Sequence, residues 1–211
     1  MTVSDGSVSD YSEWPHHFVP GEGPVLLALH GTGGNEQEIT RLAERIAPGA
    51  AILAPRGQVT ENSAGRWFRR EAEGVFDVDD VISRAHELAL FISWAIGQYS
   101  LRDRSLVVTG FSNGANMALA LGMLHPELAP AVVAFSGMYP FGERNPVQPL
   151  AGSRFLLLNG DQDAMAPSTS VDMLSQRATD AGAQVTRIVR AGGHGITADE
   201  IVAAAEWISL P

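Results

Sequence analysis

The run Leu106-Val107-Val108-Thr109-Gly110-Phe111-Ser112-Asn113-Gly114, continued by Ala115 to Leu124, decides how this chain is read. Apolar and β-branched residues lead into a glycine, and a second glycine opens an apolar run of helical length. The pattern predicts a buried strand, a tight turn and a helix. A serine at such a turn is strained into exposure, and glycines two residues to either side let strand and helix pass close together. The helix that follows directs its positive end at the serine, where negative charge develops during acyl transfer. Ser112 is the candidate nucleophile, and the next residue, Asn113, offers a backbone amide to an oxyanion.

A serine hydroxyl is a weak nucleophile until a base takes its proton, and the base works best when a carboxylate orients it. Where serine occupies an elbow of this kind, the acid and the histidine follow it in chain order. Of the six histidines, only His125 and His194 lie beyond Ser112. His125, in Leu124-His125-Pro126, stands about 13 residues, roughly 20 Å, along the helix that the serine starts, and reads as a helix-terminal surface residue. His194, in Gly192-Gly193-His194-Gly195, falls after the last strand and before the last helix, at the sheet edge of Ser112. For the acid, the run Phe155 to Leu158 leads into Asn159-Gly160-Asp161-Gln162-Asp163-Ala164-Met165-Ala166-Pro167. Asp161 is nearer the turn and suits the capping of backbone amides that turn aspartates often perform. Asp163, followed by a return into a helix, suits the acid better, with Asp161 as its alternative.

An early loop, His30-Gly31-Thr32-Gly33-Gly34-Asn35, has the glycine content for a close backbone approach and can supply the second oxyanion donor. Thr32 is the first choice for that amide and Gly33 the second. The spacing matches neither a phosphate loop, since no Gly-Lys-Ser/Thr follows, nor a dinucleotide fingerprint. His30 ends a predicted buried strand and reads as a hydrogen-bonded structural residue.

Outward from these motifs, short apolar runs alternate with segments of helical period. Predicted strands are Val25 to Leu29, Ala51 to Leu53, Leu106 to Thr109, Ala131 to Phe135, Phe155 to Leu158 and Val185 to Val189, with His16 to Val19 as an added edge strand. Apolar stripes at Ile39 to Ile46, Val78 to Ile92, Val171 to Ala181 and Ile201 to Ile208 predict the helices between them. The alternation argues for an α/β fold with a mostly parallel sheet of about six to seven strands and helices on both faces. Ligands then bind outside the carboxyl ends of the strands. Two irregular stretches, Pro55 to Gly74 and Gly137 to Gly152, are long enough to shape a pocket. Residues 1–15 are expected to be a mobile N-terminal segment and residues 16–211 a single domain.

Composition narrows the function. The chain of 211 residues carries 14 Lys and Arg against 24 Asp and Glu, a formal charge of −10, with 45% hydrophobic and 18% charged residues. An acidic chain of this kind is not drawn to nucleic acid or to anionic lipid. Cysteine is absent, which excludes disulfides, thiolate metal sites and a cysteine nucleophile. The start lacks a secretory signal pattern, and no apolar run approaches the about 20 residues of a membrane helix. The chain reads as soluble and cytoplasmic, a monomer or homodimer, acting on a small-molecule ester without metal or organic cofactor.

Together, His30-Gly31-Thr32-Gly33-Gly34-Asn35-Glu36, the elbow around Ser112, Gly160 to Asp163 and Gly193-His194-Gly195 resemble the α/β-hydrolase superfamily, and more closely its phospholipase/carboxylesterase branch. The likeness runs in order over about residues 16 to 210. It implies an α/β-hydrolase fold with a minimal lid, a triad of Ser112, Asp163 and His194, and an oxyanion hole of Thr32 and Asn113. The branch's carboxylesterases and thioesterases often carry Trp-Phe-Asp where this chain has Arg66-Trp67-Phe68-Arg69-Arg70, a pattern nearer the hydroquinone-resistance subgroup. Trp67 and Phe68 can wall an apolar acyl or aryl pocket or simply pack the loop down. Arg66, Arg69 and Arg70 can meet a substrate carboxylate, although nearby Glu71, Glu73, Asp77, Asp79 and Asp80 favour solvated ion pairs. The expected activity is hydrolysis of short-chain or small aryl carboxylic esters. The alternatives are an acyl thioesterase or lysophospholipase-like hydrolase, and a noncatalytic hydrolase-fold binding protein.

Overall fold

The computed structural model describes residues 10–72 and 74–210. In chain order the elements are β1 (His16–Val19), β2 (Glu22–Leu29), α1 (Glu36–Ile46), β3 (Ala50–Pro55), β4 (Val59–Glu61), β5 (Ala64–Arg66), β6 (Arg70–Ala72), β7 (Val75–Phe76), α2 (Val78–Gln98), β8 (Leu106–Phe111), α3 (Asn113–Leu124), β9 (Ala131–Phe135), β10 (Arg154–Gly160), α4 (Ser168–Asp180), β11 (Gln184–Arg190) and α5 (Ala198–Ser209). Seven strands form one sheet in the order β1-β3-β2-β8-β9-β10-β11. Only β1 runs antiparallel, pairing His16 with Pro55 through Val19 with Ile52, while β2, β3 and β8 to β11 are parallel.

The period of two along each strand splits the core into two layers. Val25, Leu27 and Leu29 of β2 join the cluster under α2, α3 and α4, whereas Leu26 and Ala28 join the cluster under α1 and α5. Each such Leu or Val contributes about 1.5–3 kcal/mol on full burial, so both faces of the sheet are fixed. Helix α3 is buried along its whole length and apolar on every side, which makes it the central helix. Side chains set the other helix starts. Asn35 accepts from Gln37 N–H and Glu38 N–H at α1, Asp77 accepts from Asp80 N–H at α2, and Thr197 with Glu200 forms a capping box at α5.

Two expectations are revised. Part of the N-terminal segment expected to be mobile, residues 1–9, lies outside the described residues, but Trp14 belongs to the core at 6% exposure. Its ring lies 4.9 Å from that of Phe91 and its Nε1–H donates to Arg56 O at 2.8 Å. A ring of that size recovers more by burial than by freedom. The stretch Pro55 to Gly74, read as irregular, instead carries the hairpin β4–β5 and begins a second, β6–β7.

Candidate active site

Strand β8 delivers Ser112 to the carboxyl edge of the sheet, and α3 departs at once. Ser112 has φ 54° and ψ −118°, a left-handed conformation that L side chains rarely adopt. It is held there by its N–H to Phe135 O at 2.9 Å and by its own carbonyl, which accepts from Asn116 N–H at 3.0 Å. The flanking glycines are required by contact. A Cβ on Gly110 would stand 2.4 Å from Gly114 O, and one on Gly114 would stand 2.1 Å from Leu29 O. Although Ser112 occupies the N-cap position of α3, its hydroxyl makes no capping bond.

The loops after β10 and β11 bring Asp163 and His194 together. Asp163 Oδ2 lies 2.8 Å and Oδ1 3.0 Å from His194 Nδ1. Oδ1 also accepts from Met165 N–H and Ala166 N–H, so the carboxylate side chain, fully shielded from solvent, keeps its ionised form satisfied. With Nδ1–H directed at a carboxylate, the lone pair resides on Nε2, which is buried and has no hydrogen-bond partner among the described residues. The ring lies 5.1 Å from that of Phe111, the residue before Ser112. Asp161 does something else: its Oδ1 accepts from Gly192 N–H at 2.9 Å and ties the two loops together. Arg190 completes the support, donating to Gly193 O and Gly195 O while pairing with Glu200. Nothing in the sequence marked Arg190, because its role depends on the histidine loop folding back over the end of its own strand. His125 ends α3 and meets His86 at 2.8 Å, away from this cluster.

At the early loop, Gly33 N–H donates to Gly65 O at 2.9 Å, whereas the amides of Thr32 and Asn113 donate to no described residue. His30 is 2% exposed, with Nδ1 2.8 Å from Gly31 O and Nε2 accepting from Gly57 N–H at 2.9 Å. Burial pushes its imidazole below the ordinary histidine range, so it stays neutral. The hairpin β4–β5 packs against the same loop. Trp67 N–H donates to Asn113 Oδ1 at 2.8 Å and Trp67 Nε1–H to His30 O at 2.9 Å.

Trp67 and Phe68 are 2% and 0% exposed, so they pack the loop down and leave little ring surface to line a pocket. Arg69 pairs with Asp77 and Asp80, and Arg70 with Glu61, as expected of solvated ion pairs. Arg66 departs from that expectation: it is 4% exposed, and burial lowers the affinity of its guanidinium for its proton. Two pockets flank the sheet edge that carries Ser112. One of about 480 Å³ is lined by the Gly31 to Gly34 loop, Phe111 and Ile196. The other, of about 450 Å³, is lined by Val75, Phe76, Met138, Tyr139, Met165 and Met173. A larger hollow of about 1000 Å³ sits at the opposite, amino-terminal edge of the sheet, beside Pro24, Ser105 and Pro130, and holds none of the candidate residues.

A mostly parallel sheet sandwiched by helices, with a left-handed serine between its central strand and its buried helix, defines the α/β-hydrolase class. Within that class the chain belongs to the Phospholipase/Carboxylesterase family, whose sequence profile matches residues 21–210. It is 35% identical over 184 residues to a Bacillus subtilis protein named as a hydrolase, MhqD, covering 87% of this chain and 91% of that one. A Bacillus cereus carboxylesterase of known crystal structure superposes with a TM-score of 0.88 at 36% identity, covering 93% of this chain and 94% of the other. A carboxylesterase from Mesorhizobium loti gives 0.87 at 28% identity, covering 94% and 95%. The chain is thus a hydrolase of the esterase type. No helix of the described residues is long and apolar enough to cross a membrane.

Proposed function

We propose that this protein is a serine carboxylesterase that hydrolyses short-chain or small aryl carboxylic esters through an acyl-serine intermediate. The observation that carries the proposal is the shielded Asp163–His194 pair, whose Nε2 has no partner among the described residues and whose ring lies 5.1 Å from that of Phe111, the residue before a serine held at positive φ with an unengaged hydroxyl. In this reading Ser112 Oγ attacks the ester carbonyl while His194 Nε2 takes its proton. Asp163 keeps the ring in the Nδ1–H tautomer and stabilises the imidazolium. The tetrahedral oxyanion is received by the amides of Thr32 and Asn113, which are free to donate, whereas Gly33 is already engaged. Collapse expels the alcohol, which leaves with the proton from Nε2. Water activated by the same nitrogen then releases the carboxylic acid and restores Ser112.

Pocket size supports small substrates. Hollows of about 450 and 480 Å³ lie near the lower end of the range for small-molecule sites. The test is turnover across chromogenic esters from acetyl to palmitoyl, with matching acyl thioesters, together with labelling by a fluorophosphonate. Wild type should be labelled and should favour short or aryl esters, and Ser112→Ala should lose both turnover and label. Label persisting in Ser112→Ala would move the nucleophile elsewhere. A preference that climbs to palmitoyl, or that favours thioesters, would replace the short-chain ester reading with a long-acyl or thioester one.

A further inference from the structure

Three consecutive residues at the end of the β4–β5 hairpin each grip a segment that carries a candidate oxyanion donor. Gly65 O accepts from Gly33 N–H at 2.9 Å. Arg66 Nη1–H donates to Thr32 Oγ1 at 3.1 Å. Trp67 ties to the other half of the site through its N–H to Asn113 Oδ1 and to the base of the loop through Nε1–H to His30 O. Arg66 is itself fixed, with Nε–H donating to Phe68 O at 3.3 Å and Nη1 3.4 Å from Glu61 Oε2. The Thr32 side chain is exposed and has Arg66 as its one hydrogen-bond partner among the described residues.

A glycine-rich loop has many backbone states, and an oxyanion donor works only when its N–H is directed in advance at the position the oxyanion will take. Gly33 N–H pins one peptide of the loop, and the peptide that precedes it, whose N–H belongs to Thr32, is held from its carbonyl side, where Gly31 O accepts from Gly34 N–H at 3.1 Å and lies 2.8 Å from His30 Nδ1. The Thr32 side chain adds a second hold, on the residue that carries the N–H itself. We propose that Arg66 is a positioning residue for ester hydrolysis: by holding Thr32 Oγ1 it sets the direction of the Thr32 amide, so that the β4–β5 hairpin acts as a clamp on the oxyanion pocket. The inference rests on the serine-esterase reading. A buried cation is costly to maintain where solvated ion pairing would serve, which matches a role that needs a rigid fork in a fixed place.

The experiment uses the full chain with active sites titrated by fluorophosphonate, so that only competent molecules are counted. Thr32→Val removes the accepting oxygen at constant shape, Thr32→Ser keeps it, and Arg66→Met and Arg66→Lys remove the guanidinium fork. Thr32→Val and both Arg66 variants should lower kcat by about 10- to 100-fold with KM nearly unchanged, since the amide is misdirected and not deleted. Affinity for a phenylboronic acid, whose serine adduct carries the tetrahedral anion, should fall in parallel with kcat. Thr32→Ser, which keeps the accepting oxygen, should recover most of the kcat that Thr32→Val loses, and the double variant Arg66→Met with Thr32→Val should be no worse than the poorer single one. Should Arg66→Met not fold, Thr32→Val against Thr32→Ser decides the matter alone. Equal kcat and boronate affinity in wild type and Thr32→Val overturn the inference, as do fully additive losses in the double variant. A wild-type protein that is neither labelled nor active would overturn the serine-esterase reading instead, and is thereby distinguishable.

Discussion

Replacing Ser112 by glycine should make the protein more stable, not less, once the loss of the hydroxyl is accounted for. At φ 54° and ψ −118° a side chain with a Cβ is strained, and such conformations cost about 1–3 kcal/mol each when the surroundings impose them. Here the surroundings do impose them, through the bonds to Phe135 O and from Asn116 N–H. Ser112→Ala loses the hydroxyl and keeps the Cβ, so it retains the strain. Ser112→Gly loses both. Its extra freedom in the unfolded chain costs about 0.4–1 kcal/mol, leaving a net advantage over alanine of roughly 0.5–2 kcal/mol. For a chain of this length each kcal/mol moves Tm by about 2–4 °C, so Ser112→Gly should melt a few degrees above Ser112→Ala. Calorimetry or dye-monitored melting of the two inactive variants side by side reads this directly. A glycine variant that melts at or below the alanine variant would mean that the elbow stores no backbone strain, and the reasoning would fail.

Asp163→Asn should lower kcat by about 10⁴-fold through loss of the Nδ1–H tautomer, whereas Asp161→Asn, which disturbs only the tie to Gly192, should cost far less; steady-state kinetics that rank them the other way would reassign the acid. Gly114→Ala should destabilise by about 3 kcal/mol or more, because its Cβ would meet the Leu29 carbonyl and backbone cannot step aside, while Gly97→Ala, with open space around it in α2, should stabilise by up to about 1 kcal/mol; thermal melts of the pair test both signs. His30 is held neutral in the fold, so as pH falls the unfolded chain takes up its proton first, near pH 6.5. The stability His30 contributes is complete above about pH 6.5 and is lost as pH falls towards its lower folded value. Denaturant titrations between pH 8 and 5 should therefore show a shallower acid slope for His30→Gln than for wild type, and identical slopes would refute the assignment.

The parts of the fold that were legible in the sequence are those where burial alone dictates residue type. Ala131 to Phe135 is apolar without interruption because it lies third from one edge of a sheet covered on both faces, and strand β9 has those same bounds. Helix α3 was legible as a helix only because a strand and a glycine precede it, since its apolar residues have no preferred face. The short strands β4 to β7 were not legible. They are two or three residues long, too short for an alternating pattern to show, and three of the four carry a charge; their register, Val59 opposite Arg66 and Arg70 opposite Phe76, is set by the hairpin fold. Which of Asp161 and Asp163 faces His194 is set by the path of one turn, and spacing alone cannot order two aspartates separated by a single glutamine. The burial of Arg66 was hidden for a related reason: its partner Thr32 is 34 residues away, while Asp77 and Asp80, which follow it in sequence, serve Arg69 instead.

Within the sheet strand β1 pairs with β3, and it is held down by Trp14 packed on Phe91 just before it and by its own first residue, His16, whose Nε2 lies 2.6 Å from Tyr99 Oη. The strand it covers, Ala50 to Pro55, is buried throughout and presents no charge. At the far side of the sheet, β11 carries Gln184, Thr186, Arg187 and Arg190, side chains that discourage another chain from adding to the edge. The molecule therefore guards its two margins by different means, one by its own charged surface and the other by an anchored strap. A truncated protein beginning at His16 would keep the strap and lose the Trp14 anchor. Its predicted failure is self-association through an uncovered β3, with the candidate site residues untouched, so a segment that contributes none of them governs whether the protein can be concentrated at all.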